Sequence, residues 1–87
     1  MDSAQAWRRL FQAWPASLLQ RGVLVTNFSE QVAFSAFWVA EDMLLIERQT
    51  PDTVGARKLI IGYDAILAVK LTEVLKPSAL APMGFKT

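Results

Sequence analysis

The side chains of this chain that could do chemistry are few and of two kinds. Cations stand at Arg8, Arg9, Arg48, Arg57 and Lys58, and the rings of Trp38 and Tyr63 could serve as flat platforms beside them. Rings beside cations are the physical basis of single-strand nucleic-acid binding. Every base offers a π-face to stack, worth ~1–3 kcal/mol, and every phosphate offers a charge to pair. These residues are therefore the candidate RNA-contacting set. The competing reading puts Trp38 in the core, Tyr63 at a strand end and the charges in solvent. The two readings of Trp38 part on stability: Trp38→Ala costs ~3–5 kcal/mol if the ring is core and little if it is a platform.

Catalysis has less to work with. The chain has no histidine and no cysteine, so the commonest general base, the thiolate nucleophile and the commonest metal ligands are missing. Glu41-Asp42 is the one adjacent acidic pair and reads as turn chemistry, while Asp52, Asp64 and Glu73 have no visible partner. A divalent ion held by Glu41, Asp42 and Asp52 would suit the ligand type, but the spacing matches no known loop. The expectation is a protein that is not an enzyme and carries no cofactor or metal.

Composition bounds the rest. Eighty-seven residues make one domain, near the lower end of what a single core supports. A hydrophobic content of 53% is high for so small a domain, and with no disulfide to add stability it points to a homo-oligomer. A net charge of +1 argues against a dedicated double-stranded DNA binder. No stretch approaches the ~20 apolar residues of a membrane span, and the N-terminus lacks the layout of a signal peptide. The expected location is cytoplasmic.

The elements that would position these side chains follow from periodicity. Trp7, Leu10, Phe11 and Trp14 recur at helical spacing, which predicts an amphipathic helix over 3–14, capped by Asp2 or Ser3 and stopped by Pro15. GVLVTNF from Gly22 reads as a first strand with Leu24, Thr26 and Phe28 on one face. VAFSAFWVA (32–40) reads as a second, with Val32, Phe34, Ala36 and Trp38 on one face and Ala33, Ser35, Phe37 and Val39 on the other. Both faces are largely apolar, so this strand must be covered twice or bend. Glu41-Asp42 turns the chain into a third strand, Met43 to Arg48. The loop QTPDTVGA (49–56) leads to a fourth strand, Arg57 to Tyr63, and Asp64-Ala65 makes a sharp corner into a fifth, Ile66 to Glu73, with Leu67, Val69 and Leu71 inward. The expected fold is mainly β: an N-terminal α-helix followed by a strongly bent five-stranded antiparallel small barrel. The domain spans 1–75, with its barrel at 22–73, and 76–87 is a tail whose Leu80, Met83 and Phe85 could dock on a neighbour.

A helix followed by five strands, with a turn between the second and third and a longer loop before the fourth, resembles the Sm-like (Lsm/Hfq-type) small barrels. FWVAEDMLLIE at 37–47 is similar to the first Sm motif, and IIGYDAILAV at 60–69 to the second. The resemblance implies a homo-oligomeric ring joined through the edges of the fourth and fifth strands, and single-stranded RNA as ligand. The residues that grip uridine in that family are replaced: Trp38 stands at an Asp position, Asp42 near an Asn position and Ile61 at an Arg position. Two functions follow. One is an Sm-like ring that binds single-stranded RNA; the other is an oligomeric protein–protein interaction or scaffold module with no nucleic-acid ligand.

Overall fold

In the computed structural model, which describes residues 2–86, the chain runs as helix α1 (Ser3–Gln12) and strands β1 (Gly22–Thr26), β2 (Gln31–Val39), β3 (Met43–Arg48), β4 (Lys58–Gly62) and β5 (Ile66–Lys70). The outer limits expected for the domain and the tail, residues 1 and 87, lie outside the described residues. Asp2 caps α1, its Oδ1 accepting the Gln5 N–H at 2.8 Å. The helix ends two residues before Trp14, since Pro15 denies that residue the α conformation.

The strands form one antiparallel sheet in the order β4-β3-β2-β1-β5. The helix and the five-stranded, mainly β architecture are as expected, but the sheet is not closed. β4 and β5 stand at its two edges with no ladder between them, joined only through a 3-10 corner at Tyr63–Ala65. The ladders shift register at two places, one in β2 and one where β1 meets β5. Three strands are shorter than their patterns predict, and of residues 57–63 only Lys58–Gly62 is strand, Tyr63 opening the 3-10 corner. β1 stops at Thr26, whose Oγ1 donates to Glu30 O at 2.8 Å and accepts the Glu30 N–H at 3.3 Å across a turn containing Ser29 at φ 62°. β5 stops at Lys70.

The faces of β2 differ from a simple alternation. Its register against β3 shifts between Phe34, which faces Arg48, and Ala36, which faces Glu47. The extra residue, Ser35, advances the pleat by one position. Val32 and Phe34 point inward before the bulge and Phe37 after it, so Phe37 is 4% exposed and Trp38 49%. Trp38 is thus not core, and the apolar residues on both sides of the strand pattern record one inward face that changes phase. The second shift works the same way on β5: Ile66 turns inward against Thr26, and Leu67 is turned out and exposed.

The inner face is covered by α1. Phe11 is buried, stacked on Trp14 at 5.5 Å and set edge-on to Phe37 at 5.0 Å, while Trp14 meets Phe37 edge-on, also at 5.0 Å. Edge-to-face and offset pairs suit the ring quadrupoles and add to area burial. Trp7 in the helix and Trp14 just beyond it therefore pack on the sheet core as its lid. Leu18 follows them into the interior, whereas Leu19 stays exposed. The tail forms 3-10 turns over Pro77–Met83. Its Leu80, Met83 and Phe85 line a crevice of about 160 Å³ with Trp7, Leu10 and Trp14, so within one chain they lie against the chain's own helix.

Gly22 sits where β1 runs close beside the end of β5. A Cβ there would lie 2.6 Å from the Lys70 carbonyl oxygen and 3.3 Å from the Phe34 ring. The obstacle is backbone and cannot swing away, so Gly22→Ala should cost about 1–3 kcal/mol in urea denaturation. At Gly62 the nearest atom, 2.7 Å from the same construction, is the Asp64 carboxylate, which can rotate. Gly62→Ala should cost distinctly less.

Candidate interaction surface

The cations proposed to contact RNA lie at two ends of the sheet. Arg8 stands by the β2–β3 turn, its Nη1 2.9 Å from Glu41 Oε1, and lines the same cleft as Tyr63. Arg48, Arg57 and Lys58 lie at the far end of β3 and β4, a strand length of ~16 Å away at ~3.3 Å per residue. Several are already committed. Arg48 pairs with Glu30 at 3.0 Å, and Lys58 with Glu47 at 3.4 Å across the β3–β4 ladder. Arg9 and Arg57 have no ion-pair partner among the described residues. The structure therefore does not gather these cations into one patch.

The two proposed platforms also differ. Tyr63 is buried, and its hydroxyl donates to Ala40 O at 2.9 Å, tying the 3-10 corner to the β2–β3 turn. Burial pushes its pKa above the ordinary value of 10.0, so it remains a neutral donor. That ring is a structural tie with no free face. Trp38 alone presents an open ring.

Beside Tyr63 lies a cleft of about 680 Å³ whose wall carries Asp2, Glu41, Asp42 and Asp64 against the single guanidinium of Arg8. This sign of charge disfavours phosphate. Asp52, grouped with Glu41 and Asp42 on ligand type, lies in the β3–β4 loop. There its Oδ1 accepts the N–H groups of Val54 at 2.9 Å and Ala56 at 2.8 Å. The Ala56 bond, with smaller help from Val54 and Arg48, holds its pKa below the ordinary 3.8. No group of three acidic side chains among the described residues is placed to hold a metal ion.

The outer face of the sheet carries what the motif reading did not single out. Trp38 on β2 is paired with Leu45 on β3, and Leu45 with Ile60 on β4, so the three side chains form one apolar row across three strands. Trp38 is 49% and Ile60 65% exposed, with Met43 beside them also exposed. The next row holds Glu47 and Lys58. A sequence signal existed: the runs Met43-Leu44-Leu45-Ile46 and Leu59-Ile60-Ile61 are apolar throughout, and a strand must turn alternate members outward. The row ends at β4, whose far side pairs with no described element.

No protein-family model, curated protein or solved structure matches this chain. Among the described residues, no helix is long and apolar enough to cross a membrane.

Proposed function

We propose that this protein is an assembly module: a small β-domain that joins copies of itself into a scaffold through the open edge of its sheet and the apolar row that runs out to it. The observation that carries this reading is the Trp38–Leu45–Ile60 row ending at an unpaired strand. Exposed apolar surface beside a free edge is what soluble monomers avoid and interfaces use. The helix-then-five-strands order and the small bent sheet fit the Sm-like resemblance. In that form the copies would close as a ring, β4 of each against β5 of the next.

Single-stranded RNA is the second reading, favoured by one observation: Trp38 is open to solvent on the same face as Lys58. Against it stand the separation of the cations, their existing ion pairs and the acidic cleft. Two measurements decide between the readings. Light scattering on the eluting peak should give a mass above the 9.7 kDa of one chain. Electrophoretic shift with oligo-U and oligo-A should show no complex at micromolar protein. A tight complex that weakens steeply with salt would instead make RNA the ligand.

A further inference from the structure

We infer that the partner of β4 is the β4 of a second copy, paired antiparallel about a two-fold axis through Ile60. This rests on the assembly reading above but replaces the β4–β5 contact of the Sm-like ring with a β4–β4 contact between two copies. The phase of the free edge is fixed by the ladder on its other side. Arg48 N–H donates to Arg57 O at 2.8 Å, so hydrogen-bonded pairs alternate from there through Leu59 and Ile61, whose N–H and C=O point to β3. Lys58, Ile60 and Gly62 therefore point theirs outward. Placed on a two-fold axis, Ile60 exchanges both bonds with its own copy, and Lys58 exchanges both with Gly62 of the other chain. The register is self-complementary, as an isologous contact requires.

The side chains agree with that register. The apolar row continues across the axis, with Ile60 against Ile60 and Leu45 and Trp38 behind each. Lys58 falls opposite Gly62 of the second copy, where the missing side chain is replaced by the Asp64 carboxylate, 2.7 Å from the position a Gly62 Cβ would take. The ammonium, 3.4 Å from Glu47 in its own chain, thus also meets an exposed carboxylate that has no ion-pair partner of its own among the described residues, once on each side of the axis. Arg57, likewise unpaired, follows on the same side. β5 is the poorer edge, because the shift at Val25/Thr26 interrupts its ladder and turns Leu67 out of register. A bulge is one of the devices that blunts a strand edge, and β4 has neither bulge nor proline.

The chain has no cysteine, so a single one can report the axis. In a hydrogen-bonded antiparallel pair the Cβ atoms lie ~5.5 Å apart, too far for an unstrained disulfide but well within reach of a short bifunctional thiol reagent. Treated with a short bis-maleimide, Ile60→Cys should convert to covalent dimer, while Val54→Cys in the exposed β3–β4 loop should not. Light scattering should find the unmodified chain a dimer and Ile60→Lys a folded monomer by circular dichroism, since Ile60 is not core. Lys58→Glu should raise the dimer Kd about tenfold or more, and adding Asp64→Lys should restore it. A monomer at every concentration would overturn both this pairing and the assembly reading. A larger assembly in which Ile60→Cys does not cross-link would overturn the β4–β4 pairing and leave the assembly reading standing.

Discussion

Phe37→Ala is expected to cost about 3–5 kcal/mol, and Trp38→Ala, one residue along, under about 1 kcal/mol. The difference comes wholly from the bulge at Ser35. Phe37 is 4% exposed and held edge-on by both Phe11 and Trp14, so truncating it leaves a cavity lined by rings that cannot collapse into it. Trp38 has half its surface in water and no ring partner among the described residues. A domain of this length has a total stability of roughly 4–13 kcal/mol, so the Phe37 change removes a large share of it. The check is urea denaturation at low micromolar protein, reading the midpoint shift at constant slope. Phe37→Leu, which keeps most of the volume, should lose about 1–2 kcal/mol and guards against a variant too unstable to measure. Equal losses at 37 and 38 would mean that β2 runs without the bulge.

The second large effect is at the helix. Phe11 is the one residue of α1 that is fully buried, and it bridges Trp14 to Phe34 and Phe37. Short helices are marginal alone in water, so α1 depends on that contact for its structure as well as its position. Phe11→Ala should cost about 3–5 kcal/mol and lower the melting midpoint by about 12–40 °C. It should also quench less of the tryptophan emission on folding, because Trp14 loses the ring it stacks on. An exposed helix position such as Gln12→Ala should shift the midpoint by no more than about 2 °C.

The readable and unreadable parts of the fold divide along physical lines. Val32 to Arg48 announces two strands and an acidic turn, because apolar density and turn residues act locally. The helix was legible for the same reason: Trp7, Leu10, Phe11 and Trp14 are tied by one period. What could not be read was phase. A strict two-residue alternation puts Trp38 on the face of Val32 and Phe34, and only the ladder between β2 and β3 records that Ser35 is an extra residue. Closure was illegible too, since whether five short strands meet depends on the sum of small bends along the whole sheet. The candidate site suffered from the first error. Residue type alone groups the cations, yet Arg8 and Arg57 end a strand length apart, while Leu45 and Ile60 carry no motif and become an outward row only through the register. The distinction between Leu59 and Ile60 lies in which one faces the helix, and sequence adjacency does not encode that.

The exchange of the Ile60 amide with solvent deuterium tests the central claim most directly. In a lone chain this N–H points away from β3 at an open edge, while its neighbours Leu59 and Ile61 bond inward. If copies join through β4, Ile60 should exchange quickly in dilute protein and become as protected as Leu59 as concentration rises through the assembly range, with Leu59 and Ile61 slow throughout. An Ile60 amide that exchanges fast at every concentration, with Leu59 protected beside it, would contradict assembly through this edge.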